Sequence, residues 1–245
     1  PLTPEGYLAV RKLTQENIPI NFTLGFSARQ NYLAARLSNP DFVNVFLGRL
    51  NQLVIEHKAG SGDQVGEKVS LSTQNSLIEA RKNHKDIKSR LIGASIRNGE
   101  QVAFLAGLDV LTIPPKAIKD FQESGKLTNE IVSHLDKEII PGIDGNHKLA
   151  KRFPNLWELS ERFVSFVDAL MIENGLSEMK GKELVEFCKM HGVDLFHNFS
   201  ESELNQIYNH GKIPCLDNWP ESIALDDLMT QSALQSFYKD QNALD

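Results

Sequence analysis

The chain is poor in cysteine, in unbroken apolar runs and, over its second half, in positive charge. Two cysteines, Cys188 and Cys215, cannot build a disulfide framework, so a reducing cytosol is the expected compartment. No stretch of about eighteen apolar residues occurs, and no membrane span is expected. No basic segment leads into an apolar core at the start, so a secretory leader is not expected either. Also lacking are a Ser-His-Asp arrangement, a His-Glu-x-x-His helix and a dinucleotide-binding glycine fingerprint. The glycine-rich stretch 59–66 lacks the Lys-Ser/Thr ending of a phosphate-cradling loop and does not join a strand to a helix. It reads as a plain connection. Cys188, His191, His197, His210 and Cys215 lie near one another in sequence. Their spacing, Cys-x2-His and then wide gaps, matches no dependable zinc pattern, so a buried cysteine and surface histidines are expected, with no metal and no cofactor.

What is present is a core. Hydrophobic residues make up 41% and aromatics 8% of 245 residues, enough for one barrel-sized domain or two smaller ones. The net charge of −6 is unevenly spread. Residues 1–125 hold 15 Lys/Arg against 12 Asp/Glu, whereas residues 126–245 hold 11 against 20. The acidic back half argues against nucleic acid and anionic membranes as partners, and the basic excess at the front fits a small anionic ligand.

Thr3, Pro4 and Glu5 read as N-cap, first helical residue and first-turn acid of a helix running to about Asn17. A helix starting there leaves no room for the strand that normally leads into one, so the chain reads as beginning inside a βα unit. The run from Ile18 to Ser27 reads as a buried strand, with Asn21 and Thr23 on one face and Phe22 and Leu24 on the other. Helix is then expected over 28–38, strand over 42–47 ended by Gly48-Arg49, and helix over 72–84 with Ser72 as cap. Strand 90–96, helix 99–106, strand 110–113 and helix 117–124 complete the series. Strands alternating with helices imply parallel pairing with right-handed crossovers. Four strands at this spacing make half of an eight-stranded barrel or a small open sheet. Residues 126–245 read as largely helical, with amphipathic patterns over 156–170, around 184–188 before Gly192, from Ser200, and over 223–238.

Asn44, Phe46 and Gly48 share a face of the second strand, with Arg49 just beyond its end; Gly93, Ser95 and Arg97 share a face of the third. An arginine in a strand is costly unless it meets water or an anion. Two arginines at neighbouring strand ends, beside a serine hydroxyl, could grip a phosphate, or each could pair with a surface carboxylate. Asn21 and Thr23 could be a satisfied polar pair, or the hydroxyl could position a water or a substrate oxygen.

These segments carry a family resemblance. Asn21-Phe22-Thr23-Leu24 leading to Phe26-Ser27, Phe46-x-Gly48-Arg49, Gly93-Ala94-Ser95-x-Arg97-Asn98 and Leu108-Asp109-x-Leu111-Thr112-Ile113 resemble transaldolase in order and approximate spacing. The resemblance covers about residues 1–125 and resumes loosely over 223–241. It implies a (β/α)8 TIM barrel of which residues 1–125 supply the second half, with a mostly helical extension, 126–245, packing on it. It further implies transfer of a dihydroxyacetone unit between sugar phosphates, in the pentose phosphate pathway, through a Schiff base on a lysine. By the resemblance Thr23 would be catalytic, holding the proton-relaying water. Asn21 and Asn44 would bind substrate hydroxyls, Phe46 would line the pocket, and Arg49, Ser95 and Arg97 would bind the phosphate.

Asn44 stands where the family has serine. The Schiff-base lysine and the acid/base carboxylates would fall upstream of Pro1, and neither Lys58 nor Lys116 substitutes for that lysine. The expected partners are therefore sugar phosphates and an N-terminal barrel half, upstream or on a separate chain, with oligomer formation open. A fructose 6-phosphate aldolase-like enzyme and a non-catalytic sugar-phosphate-binding module are the alternatives.

Overall fold

The computed structural model describes residues 1–244. The Thr3 hydroxyl accepts a hydrogen bond from the Gly6 amide at 3.2 Å and starts α1 (Pro4–Gln15), as its cap-and-proline signature predicts. Four short parallel strands follow among the described residues: β1 (Asn21–Phe22), β2 (Phe42–Phe46), β3 (Arg90–Ala94) and β4 (Val110–Leu111), in the order β1-β2-β3-β4. The register sets Phe22 beside Val43, Val43 beside Leu91, and Ile92 beside Val110. Each crossover is helical: α2 (Ala28–Leu33) with a π-helical turn Ala34–Ser38, then α3 (Leu47–Glu56) with α4 (Val65–Asn83), then α5 (Gly99–Phe104). After β4 comes α6 (Pro115–Glu123). The parallel α/β sheet expected from the alternation is present, with β1 and β4 at its edges.

Local chemistry corrects several boundaries. The opening strand is shorter than its apolar run, because Leu24 turns into the left-handed region at φ +67°. The facing is as expected even so: Asn21 is exposed, while Phe22 and Leu24 are buried. β2 does not end in a loop at Gly48-Arg49 but runs directly into α3, which buries Leu47, Leu50, Leu53 and Val54 along one side. Helix α4 begins at Val65, and Ser72 lies inside it. Its first turn is capped from α3, where Asn51 Oδ1 accepts the Gly66 amide at 2.7 Å.

Residues 126–149 are mostly irregular, so the helical character of the second half begins later than expected. The first amphipathic pattern of this half, 156–170, yields α7 (Glu161–Met171) behind its Ser160 cap, with Leu156 left in a preceding 3₁₀ turn. Then come α8 (Gly181–Met190), α9 (Glu201–His210) and α10 (Leu225–Asn242). Ser200 and Glu203 form a reciprocal capping box at the start of α9. No helix among the described residues is long and apolar enough to cross a membrane.

The first turn of α10 is fastened to the loop after β1. Arg29 donates to Asp226 through Nε (2.8 Å) and NH2 (2.9 Å), Ser27 Oγ donates to Asp226 at 2.6 Å, and Arg29 NH1 reaches Asp194 at 2.6 Å. Burial opposes the Arg29 charge, but Asp226 and then Asp194 outweigh it and raise its pKa. One turn on, Thr230 Oγ1 donates to the Leu24 carbonyl at 3.0 Å and accepts from Gln30 Nε2 at 3.0 Å. The helix is thereby aimed across the C-terminal ends of β1 and β2.

Candidate active site

Parallel strands gather their C-terminal ends on one side of the sheet, where β1, β2 and β3 present the residues singled out above. Asn44 is buried. Its Nδ2 donates to Asn21 Oδ1 at 3.0 Å and its Oδ1 accepts the Leu24 amide at 3.1 Å, so it ties β1 to β2 and orients Asn21. Nδ2 of Asn21 donates to no group among the described residues, and the half-buried Thr23 hydroxyl likewise makes no hydrogen bond there.

Arg49, Ser95 and Arg97 are brought together by close backbone approach. Gly48 opens α3 against the loop after β3. A Cβ at position 48 would collide with the Ser95 carbonyl oxygen and come within 2.7 Å of Arg97 Nε and 3.0 Å of Ser95 Oγ. Ser95 itself sits at φ +65°, a left-handed conformation that costs a non-glycine residue about 1–3 kcal/mol and here turns the chain off the strand end. The Arg97 amide donates to Gln101 Oε1 at 2.7 Å. Gln101 in turn donates to Glu67 at 2.8 Å, which also accepts from Asn51 at 3.0 Å. This buried network fixes the turn that carries Arg97.

Arg49 is only 9% exposed. Its guanidinium carbon lies 5.9 Å from the Phe46 ring centroid and 5.5 Å from that of Phe237 on α10, and NH1 finds no hydrogen-bond partner among the described residues. Burial lowers its pKa from the ordinary arginine value; the like charge of Arg97 adds to this and Asp240 opposes it. Neither Arg49 nor Arg97 belongs to an ion pair among the described residues, so the surface-carboxylate alternative does not describe either. Both arginines line a cleft of about 1100 Å³ together with Asn51, Asn98 and Gln101. The buried Arg49 and the exposed Arg97 thus reach the same cleft, whereas Ser95, Asn21, Thr23, Asn44 and Phe46 do not line it.

Lys58 and Lys116 are exposed, and neither lines this cleft. Cys188 is buried in the core with its thiol pushed up to about 12, chiefly by burial. His191 Nδ1 lies 2.9 Å from the Phe187 carbonyl, and His197 pairs with Glu203 at 3.1 Å. Among the described residues no group of three or more His, Cys, Asp or Glu is placed to hold a metal. Sequence reasoning left Phe237 as one more apolar position of the last helix and Arg29 as an ordinary helix former. No local signal marks either, since their partners lie about 200 positions away.

A parallel α/β sheet with helical crossovers, carrying polar and basic residues at its strand ends, defines the class. A profile of the transaldolase/fructose-6-phosphate aldolase family matches residues 1–153, and the chain belongs to that family. Among curated relatives, a probable transaldolase of Caldicellulosiruptor saccharolyticus is 36% identical over 121 residues, 49% of this chain and 49% of that protein. A probable transaldolase of Nitrosopumilus maritimus is 34% identical over 117 residues, 47% of this chain and 46% of the relative. The match to a probable transaldolase of Dictyostelium discoideum is longer, 28% over 165 residues, covering 67% of this chain and 50% of the relative. The chain thus spans about half the length of the curated relatives it matches.

Proposed function

We propose that this chain supplies the sugar-phosphate-binding part of a transaldolase, which moves a dihydroxyacetone unit between sugar phosphates. The reaction runs from sedoheptulose 7-phosphate and glyceraldehyde 3-phosphate to erythrose 4-phosphate and fructose 6-phosphate, a step of the pentose phosphate pathway. The observation that carries the proposal is a pair of arginines without counter-ions among the described residues, one just after β2 and one just after β3, that line one cleft, with Ser95 packed against Gly48 beside them. In it, residues 1–125 act as the second half of a (β/α)8 barrel and residues 126–245 as an extension on that half. The exposed sheet edges at β1 and β4, and the half-length match to the relatives, support this arrangement.

Arg49, Ser95 and Arg97 hold the substrate phosphate. Phe46 walls the pocket, and Asn21, held by Asn44, donates to a substrate hydroxyl. The nucleophile is a lysine on a segment outside these 245 residues. Its amine condenses with the ketose carbonyl and releases water. The resulting iminium accepts the electron pair of the bond between its neighbouring carbon and the hydroxyl-bearing carbon beyond, as that bond breaks. The hydroxyl oxygen on that carbon gives up its proton, and the fragment departs as an aldehyde. A new aldehyde then takes the carbon nucleophile and the steps reverse. Thr23 positions the water that relays these protons.

Calorimetric titration of the purified chain with fructose 6-phosphate tests the binding part: Arg49→Ala and Arg97→Ala each weaken binding at least tenfold, the loss of one charge-assisted contact. Affinity unchanged from the parent chain in both variants would refute the phosphate assignment. Borohydride reduction with fructose 6-phosphate tests the chemistry. An adduct on a lysine of a co-purifying segment supports catalysis, and none supports a non-catalytic module. Turnover without an aldehyde acceptor would favour a fructose 6-phosphate aldolase, whereas the relatives' names favour transfer.

A further inference from the structure

We propose that Phe237, near the end of the last helix, is a positioning residue of the anion site, holding the Arg49 guanidinium between two aromatic rings at the wall of the cleft. The inference rests on the anion-site assignment above and adds a residue from a part of the chain that the site's own motifs do not reach.

An aromatic column runs along this side of the sheet. Phe26 and Phe46 meet at 6.0 Å between centroids, Arg49 lies 5.9 Å above Phe46, and Phe237 covers it at 5.5 Å. Among the described residues the guanidinium belongs to no ion pair, and the two rings are the groups that pack on it. An arginine on a flexible stem would otherwise lose side-chain entropy on gripping an anion, and a guanidinium already fixed and stripped of water loses less.

Phe237 is held in turn by what lies before it on α10. Asp226 is anchored on Arg29 and Ser27, Thr230 on the Leu24 carbonyl, and the neighbouring Tyr238 packs edge-on against Tyr208 of α9 at 6.3 Å. Phe237 nevertheless remains 42% exposed, too open for an ordinary core residue, and its exposed side faces the solvent rather than a second apolar layer. Asp240, about one turn further, carries a charge that favours the Arg49 cation. The last turns of α10 therefore bring both a π-face and a competing anion to the same arginine.

The test compares Phe237→Leu, which keeps apolar bulk and loses the π-face, with Phe237→Tyr, which keeps both. Two readouts are taken on the full chain: the Arg49 Nε–Hε resonance by ¹H–¹⁵N NMR, and affinity for inorganic phosphate and fructose 6-phosphate. In the parent chain the resonance is shifted by the two rings; Phe237→Leu moves it and weakens both ligands about five- to twentyfold, while Phe237→Tyr restores both with thermal stability unchanged. Unaltered resonance and affinity in Phe237→Leu overturn the inference, as does equal weakening by both variants together with a lower melting temperature, which would mark simple packing. A ring-shifted resonance that responds to Phe237→Leu, with no phosphate affinity in the parent chain, would sustain the positioning of Arg49 and refute the anion-site assignment instead.

Discussion

Replacing Arg29 with methionine isolates the buried ion pair that fastens α10. Asp226 is fully buried and accepts four hydrogen bonds: two from Arg29, at 2.8 and 2.9 Å, one from Ser27 Oγ at 2.6 Å and one from the Asp227 amide at 3.2 Å. Methionine keeps the aliphatic stem and removes both charged donors. A carboxylate is left with one hydroxyl and one amide, away from water. Removing one partner of a buried pair costs about 3–5 kcal/mol, because the remaining charge keeps its desolvation penalty. The arm to Asp194 adds no more than about 1 kcal/mol, since that carboxylate is half exposed and water replaces the contact. For a chain of this length each kcal/mol lowers the melting temperature by about 2–4 °C, so the expected drop is about 6–20 °C. Urea and thermal unfolding followed by circular dichroism measure it. The paired variant Arg29→Met/Asp226→Leu leaves no orphaned charge and recovers most of the loss. A single-variant loss below about 1 kcal/mol, or a double variant no better than the single, would refute the ion pair as the fastening.

Four further outcomes are expected. Asp227 is buried, and burial, followed by the charge of Asp226, raises its pKa well above the ordinary carboxylate value. The folded state therefore keeps a proton that the unfolded chain releases, and this contribution to stability is lost as pH rises above about 4. Asp227→Asn, which keeps an acceptor for the His197 amide, gains stability over the parent chain between pH 4 and 7; parallel pH profiles would count against this. Gly48→Ala drives a methyl group into the Ser95 carbonyl, lowers stability by about 1–3 kcal/mol and weakens fructose 6-phosphate binding, read by unfolding and titration. Asn44→Ala strands the buried Leu24 amide, costing about 1–3 kcal/mol in denaturant unfolding. A thiol reagent at pH 8 modifies Cys215 first and reaches the buried Cys188 only after unfolding, which the time course of thiol release measures.

Residues whose chemistry is local were readable from the chain. Strand alternation put Asn21 opposite Phe22 and set Ser95 and Arg97 on one side at a strand end, while leaving open whether the arginine meets an anion or a carboxylate. The helix starts at Thr3 and Ser200 followed from side chains that cap their own helices. The failures share one cause, which is contact across the chain. Gly48 resembled a stop, yet it is small because the Ser95 carbonyl lies against it, and α3 continues through it. The cap of α4 belongs to Asn51, 15 residues before the amide it serves, so Ser72 looked like the better start. Asn44, which the resemblance sets against a substrate hydroxyl, also joins two strands through its carboxamide, a contact no local pattern marks.

The fastening of α10 also has a consequence in time. Arg29 and Asp226 are 197 residues apart. At about 5–20 residues per second of synthesis, roughly 10–40 s separate the emergence of the arginine from that of its carboxylate. During that interval Ser27 and Arg29 have no buried acceptor, and the edge of β1 lies open to other nascent chains. Contacts of this sequence separation also slow folding after release, because the loop must close before the contact is formed. Phe237 reaches Arg49 later still. The surroundings of the Arg49–Ser95–Arg97 cluster are therefore among the last features of the chain to mature, and a truncation before residue 226 would leave a molecule with that cluster and without the helix that packs on Arg49.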